Sequence, residues 1–482
     1  MIHFLIILAV LAGFLSVIAW RTVSFKPKSS FEAAYDAGAV NADKAAASLS
    51  EAVRFKTVSN EDYSKVDFSQ FDLFKKYLAE TYPRVHAELT YEAVNTYSLL
   101  YHWKSNNSDK KPVLLMAHYD VVPVEDGSEA LWSFPPFSGK IADGMIWGRG
   151  ALDIKCQVIG IMESVEALLE EGFIPERDLY ITFGHDEEVD GQQGALRIAQ
   201  LLEQRGLSFE FILDEGSYIT ENIIPGVKRP LALIGACEKG YADVKLSCTS
   251  SGGHSSTPPG NTALSSVCEG VSRLQRHQFH RRIILPVKWF LNTVGPEMPL
   301  IDRIILSNLW LFNQLCMRKL SMTPPGNALL RTTTAATMAG GSPQANILPQ
   351  KAWAVINFRL LNGETCDDLA RHIKKVLRGL DIKMEFLIGN NPSFVSSCES
   401  SAFKTIEKTA SQVFPDALPA PYVMTGASDS VKYEKVSQNI FRFSPFRMKP
   451  GDIGKVHGNN ENIPVQSMSD IVRFYKQLIK NV

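Results

Sequence analysis

The chain has 482 residues, 50 of them basic and 51 acidic, for a net charge of −1 at neutral pH. That length exceeds one ordinary domain, so two globular units are the default expectation, with ample chain to bury a full core. No basic excess exists to neutralise phosphates, which argues against nucleic acid as a partner, and 45% hydrophobic with 21% charged residues is ordinary for a globular body.

The first twenty residues differ from the rest. Ile2 to Trp20 is a 19-residue run without formal charge; as a helix it reaches roughly 28 Å at 1.5 Å per residue, nearly a hydrocarbon core. It is either an uncleaved anchor or a signal peptide. The anchor fits better, because only the terminal amine precedes the apolar run and Ala19-Trp20-Arg21 is a poor cleavage sequence. Two cues to topology oppose each other. Arg21, Lys26 and Lys28 follow the segment and by the positive-inside rule hold the body in the cytoplasm, whereas Asn106-Asn107-Ser108 is an N-glycosylation sequon in a polar loop. The expectation is a single-pass membrane protein, or a secreted one if the segment is cleaved, with the side of the membrane open. Residues 1–22 are read as this segment and 23–44 as a tether.

From residue 45 the chain alternates helices with short apolar strands, the pattern of an α/β unit with a mostly parallel sheet. Three strands stand out: VLLMAH (113–118), DLYITFGHDEE (178–188) and FEFILDEG (209–216). Between the first two, Ile159, Met162, Val165 and Leu169 recur at three and four places and predict a helix over 155–171. Near Cys237 the style shifts to alternating strands, YADVKLSCTS, AWAVINFRL (352–360) and KMEFLIG (383–389), around a helix over 366–377. This α+β stretch, 238–390, reads as a domain inserted into a catalytic domain of 45–237 and 391–482. Within it, 281–330 carries a heavy apolar and aromatic load, which fits either a core or a greasy surface for an acyl chain, a membrane or a partner. The seven cysteines (Cys156, Cys237, Cys248, Cys268, Cys316, Cys366, Cys398) are odd in number and lack a C-x-x-C pair, so they read as small buried apolar residues.

The chemistry gathers at strand ends. The three strands finish on His118, on Glu187 and Glu188, and on Asp214, and in an open parallel sheet the carboxyl ends of the strands form the ligand crevice. Asp153 stands in GMIWGRGALDIK, where Gly148 and Gly150 allow close backbone approach, and His457 stands in the Gly-flanked loop GKVHGNN. With 51 acids some will fall at strand ends by chance, but two adjacent carboxylates repel and call for a cation. Two imidazoles with three or four carboxylates and no thiolate suit a pair of borderline cations such as Zn²⁺. No G-x-S-x-G elbow and no G-x-x-x-x-G-K-[ST] cradle occurs.

The motifs MAHYDVVP, GRGALDIK, GHDEE, DEG, SGGHSS and VHGNNE resemble, in order and spacing from about residue 45 to the end, the dinuclear-zinc aminoacylase and carboxypeptidase family. Similarity is greatest to its branch of carboxypeptidase S and the N-fatty-acyl-amino-acid synthase/hydrolases. The resemblance implies a zinc-peptidase-like catalytic domain with a mostly parallel sheet, an inserted α+β lid and dimerisation domain, and two Zn²⁺ per chain, with Co²⁺ or Mn²⁺ as substitutes. His118 and Asp214 would hold one zinc, Glu188 and His457 the other, with Asp153 bridging. Asp120 would fix the ring of His118, and Glu187 would be the general base. His254 would stabilise the oxyanion within the chain or across a homodimer formed through 238–390. Asn346, Arg359 and the backbone at Gly426 would grip the substrate carboxylate.

The implied function is hydrolysis of the amide of an N-acyl amino acid, or of a peptide's C-terminal bond, formally reversible towards synthesis. The small-molecule substrate would be the main partner, besides the membrane. The alternatives are a receptor on an inactive peptidase fold, which should have lost ligands that are all present here, and an aminopeptidase on the same metals, which should offer an acid to a free amine where Arg359 offers a cation.

Overall fold

The computed structural model describes residues 1–27, 35, 38, 40–106, 109–221 and 226–482. Asn107 and Ser108 of the sequon, and much of the tether, lie outside the described residues.

The central sheet runs in the order Thr90–Val94, Ser98–Trp103, Leu179–Gly184, Val113–His118, Phe211–Asp214, Ile440–Arg442, Leu231–Glu238, Ile219–Thr220 and Arg447–Met448, and Leu418–Met424 pairs alongside Leu231–Glu238. Its heart is parallel, with Val113–His118 between Leu179–Gly184 and Phe211–Asp214, while the Thr90–Val94 and Ser98–Trp103 hairpin is antiparallel. The sheet is thus mixed and mostly parallel. All six residues of Val113–His118 and of Leu179–Gly184 are buried, as expected of apolar runs covered on both faces. Helices Lys155–Glu170 and Val465–Asn481 share one core with them and are tied by Ser164 Oγ, which donates to the Val472 carbonyl at 3.0 Å.

A second, four-stranded antiparallel sheet comprises Thr333–Gly340, Lys351–Leu360, Gly240–Thr249 and Lys383–Asn390. Burial alternates along Gly240–Thr249, the period-2 signature of a sheet with one wet face. Helices Ala263–Arg276 and Cys366–Val376 cover the other face, each opened by a capping box, Thr262 with Ser265 and Thr365 with Asp368.

The segment 281–330 does not join that sheet's core. Val287, Phe290, Leu291 and Leu306 cluster instead with Leu231, Leu233, Leu418 and Val423 of the central sheet. Apolar spacing fixes which face of a helix is buried, not which sheet receives it, so the expected insertion is divided between two cores.

Lys239 lies where the two sheets meet. It is buried, donating from Nζ to the carbonyls of Ala328 and Arg331, both at 2.8 Å, and burial pushes its pKa down to about 7 from an ordinary 10.5. Between those values the unfolded chain holds the proton and the folded chain does not, so this group makes stability rise with pH across that window. Lys239→Met should flatten the rise by up to about 1.4 kcal/mol per pH unit. Urea unfolding of both proteins at pH values across the window would test this, and parallel stability curves would refute it.

Candidate active site

His118 closes a wholly buried strand, so its ring cannot turn away into solvent. Nδ1 lies 3.1 Å from the Asp120 carbonyl and 3.4 Å from Asp120 Oδ1, which leaves Nε2 facing Asp153 Oδ1 at 3.4 Å and Glu187 Oε2 at 3.8 Å. The other Asp153 oxygen, Oδ2, lies 3.1 Å from His457 Nε2, and Glu188 Oε2 is 3.0 Å from that same nitrogen. Asp153 therefore presents one oxygen to each imidazole. Ligand atoms of His118, Asp153 and Glu188 fall within 4.8 Å of one another, close enough to hold a metal ion.

Each side chain is placed by a local device. Glu187–Val189 is a single 3-10 turn that follows the Leu179–Gly184 strand after His185 and Asp186. The carboxylate of Asp120 anchors this turn, accepting from the backbone N–H of Glu187 and of Glu188, both at 3.1 Å, and from Ser59 Oγ at 2.7 Å. The aspartate expected to orient the His118 ring thus also fixes the carboxylate pair. Around Asp153, a Cβ on Gly148 would lie 2.4 Å from Val53 Cγ1, and one on Gly150 would lie 2.6 Å from Val121 Cγ1, both at positive φ; only glycine fits either place.

Two residues that sequence reasoning left unassigned join the Asp153 and His457 loops. Glu461, fully buried, accepts from the N–H of Leu152 at 2.8 Å and of Asp153 at 3.1 Å, and pairs with Arg149 Nη1 at 2.7 Å. Arg149 Nη2 then donates to the His457 carbonyl at 3.2 Å. The available signal was the final glutamate of VHGNNE.

The electrostatics are those of crowded carboxylates. Burial pushes Glu187 well up, with Asp429 and Glu215 adding to it, and burial likewise raises Glu188. Burial and then Asp429 bring Asp214 to about 6. Hydrogen bonds to Asp153 and Glu188 raise His457 to about 10. Burial opposes a charge on His118, yet its hydrogen bonds to Asp120 and Asp153 raise it well above the usual imidazole range. Glu188 Oε1 and Asp214 Oδ2 are buried without a hydrogen-bond partner. The orphaned oxygen of Glu188, whose other oxygen faces His457, fits a divalent cation, which would satisfy it and relieve the repulsion.

Asp214 ends its strand as expected, but it is not in the tight group of His118, Asp153 and Glu188. Its neighbour Glu215 is pushed well up by burial, then by Asp153 and Asp214, whereas after burial the largest influence on Asp214 is Asp429. Asp153 thus bears on Glu215 more than on Asp214, its neighbour in DEG.

Arg359 of the second sheet reaches the loop that follows Leu418–Met424 of the central sheet. Its guanidinium stacks on Tyr241 at 4.5 Å and Nη1 donates to the Thr425 carbonyl at 3.4 Å, next to Gly426. Among the described residues no carboxylate pairs with it, so its charge is available. His254 and Asn346 lie elsewhere, exposed together where Gly253–His254 pairs with Ile347–Leu348. Ser255 N–H donates to the Asn346 carbonyl at 3.1 Å and His254 Nδ1 lies 2.8 Å from Ser256 Oγ. Neither residue has a hydrogen bond or ion pair to the His118 group among the described residues.

Residues 114–481 match peptidase family M20/M25/M40. The chain belongs to that family. It is 39% identical over 439 residues to the probable carboxypeptidase S-like 2 of Dictyostelium discoideum, covering 90% of this chain and 84% of the relative. It is 37% identical over 417 residues to the human N-fatty-acyl-amino acid synthase/hydrolase PM20D1, covering 85% and 82%. The fold is shared with an M20 metallo-carboxypeptidase of Sulfolobus solfataricus, at a TM-score of 0.65 with 18% identity over 90% of this chain and 98% of that one. The M20 assignment makes the chain a hydrolase of the metallopeptidase type, in accord with the resemblance carried by its motifs.

Proposed function

We propose that the protein is a two-zinc amidohydrolase that cleaves N-acyl amino acids, or the C-terminal bond of peptides, and releases the amino acid. The observation that carries this reading is Asp153 offering one oxygen to each of two imidazoles, 3.4 and 3.1 Å away. His118 with Asp214 or Glu215 would hold one ion, Glu188 with His457 the other, and Asp153 both. Bound there, divalent cations polarise a carbonyl and acidify water. Glu187 takes the proton of the attacking water and returns it to the leaving amine. Arg359, aided by the backbone at Gly426, grips the substrate carboxylate through its planar fork. His254 and Asn346, exposed together on one edge, serve a site completed by domain closure or by a second subunit of a homodimer. The acyl preference is for long chains, in keeping with relatives named for N-fatty-acyl-amino acids.

The N-terminal helix Ile2–Ser24, the one helix among the described residues long and apolar enough to cross a membrane, is read as an anchor rather than a cleaved signal.

The full-length protein in detergent should contain two zinc ions and hydrolyse N-oleoyl-phenylalanine faster than N-acetyl-phenylalanine. Chelation should abolish turnover and Zn²⁺ or Co²⁺ restore it, and esterifying the substrate carboxylate should block it. Turnover that survives metal removal would end the two-metal reading; a preference for a blocked carboxylate with a free amine would favour an aminopeptidase.

A further inference from the structure

The helices Leu300–Ser307 and Leu309–Leu320 leave a broad apolar face uncovered: Leu300 is 58% exposed, Ile301 72%, Trp310 55% and Leu315 49%. A lone surface leucine needs no account, but a group of large apolar side chains on two successive helices does. This face is continuous with the N-terminal helix. Phe14 meets Trp310 edge-on at 5.7 Å, Arg21 Nε donates to the Ser307 carbonyl at 3.0 Å, and Thr22 Oγ1 lies 3.1 Å from Ser307 Oγ. The second half of the N-terminal helix is thus clamped to these two helices, while its first half projects free.

Axial rise sets the depth. From Arg21 back to Phe14 is seven residues, roughly 10 Å along a helix. With Arg21 and Lys26 among lipid headgroups, Trp310 against Phe14 lies about that far below them. Helices lying in a membrane interface bury their apolar faces roughly 5–10 Å deep. Charge agrees: residues 281–322 carry six basic groups (Arg281, Arg282, Lys288, Arg303, Arg318, Lys319) against two acidic ones, Glu297 and Asp302. Both acids are already paired, with Arg229 and Lys319, and Arg282 pairs with Glu364, which leaves Arg281, Lys288, Arg303 and Arg318 without a carboxylate partner among the described residues. Such an excess favours an anionic bilayer and opposes a second copy of the same basic face.

We propose that helices Leu300–Ser307 and Leu309–Leu320 enter one leaflet of an anionic bilayer beside the N-terminal helix and clamp the catalytic body to the membrane surface. The proposal rests on the reading of that helix as an anchor. Its consequence for the site runs through one strand. Leu306, Cys316 and Met317 of these two helices share one apolar cluster with helix Leu285–Val294 and strand Leu418–Met424, and that strand continues directly into Thr425 and Gly426, so the leaflet-bound element and the substrate loop share a support.

Nitroxide labels on full-length protein in phosphatidylcholine–phosphatidylserine nanodiscs test it, with the surface-reaching thiols removed by Cys268→Ser, Cys366→Ser and Cys398→Ser. Labels are placed one at a time through Ile301→Cys, Leu311→Cys and Leu315→Cys, with Leu8→Cys reporting the anchor and Leu264→Cys, exposed on the second domain, reporting water. All five side chains are at least 40% exposed, so the replacements leave the fold alone. The ratio of oxygen to nickel-chelate accessibility should be several-fold higher at 301, 311 and 315 than at 264. Labels at 311 and 315 as water-accessible as 264, with position 8 still in lipid, would overturn the proposal and leave the anchor standing. Water access at position 8 as well would refute both. Spin–spin broadening between copies at 311, with neither reagent admitted, would make the occupant a second subunit and overturn the proposal.

Discussion

Glu187→Gln should lower kcat roughly 100- to 10,000-fold, the range by which a positioned general base accelerates a reaction, while the metal content stays unchanged. The expectation turns on the different surroundings of two adjacent carboxylates. Glu188 Oε2 points at His457 Nε2, 3.0 Å away, and takes part in the tight group with His118 and Asp153. Glu187 Oε2 lies 3.8 Å from His118 Nε2 and makes no hydrogen bond with it, so its oxygens are not committed to a ligand position. Both backbone N–H groups are held by Asp120 at 3.1 Å, so glutamine at 187 keeps the turn and loses only the basic oxygen. Burial, Asp429 and Glu215 hold the Glu187 pKa above the usual carboxylate range, which suits a group that must take a proton and give it back. Metal analysis beside steady-state kinetics checks this. A variant that loses zinc in step with activity would make Glu187 a ligand, and one of undiminished rate would remove it from the chemistry.

The parts of this site legible in the sequence are those where local pattern and chemistry coincide. A fully apolar run of strand length can end on His118 only by presenting that ring at the sheet's carboxyl edge, and the runs ending at Glu187 and Asp214 follow the same rule. The supporting residues were not legible because their partners are far along the chain. Glu461 lies 312 positions from Arg149, and nothing within either local stretch marks the pair. Asp120 was legible as a neighbour of His118, but its grip on the Glu187–Glu188 turn depends on parallel pairing of Val113–His118 with Leu179–Gly184. Asp214 and Glu215 stand side by side in DEG, and the sequence does not choose between two acids at a strand end that differ only in the direction each side chain takes. The allocation of 285–330 to the central sheet was hidden for another reason: helical periodicity reports an apolar face and is silent about its partner.

Arg442→Met should cost about 3–5 kcal/mol of stability, the usual penalty for stranding a buried charge. Arg442 is among the largest fully buried side chains, and its Nε donates to Glu238 Oε1 at 2.5 Å. Glu238 also accepts from Ser428 Oγ at 2.7 Å, Ser428 N–H at 3.1 Å and Ser430 Oγ at 3.1 Å. The pair therefore holds both sides of Asp429, whose charge bears on Glu187 and Asp214, in the loop that carries Gly426. Removing the arginine leaves Glu238 with three weak donors in place of a cation, and loosens the 425–430 loop along with the fold. Adding Glu238→Gln to Arg442→Met removes the stranded charge while keeping an oxygen for the two serines, so the double variant should regain part of the loss. Urea unfolding of the four proteins in the cycle measures the coupling. A single variant within about 1 kcal/mol of the parent, the range of an ordinary exposed pair, would show that the guanidinium is replaceable, and strictly additive losses would show that Glu238 does not depend on it.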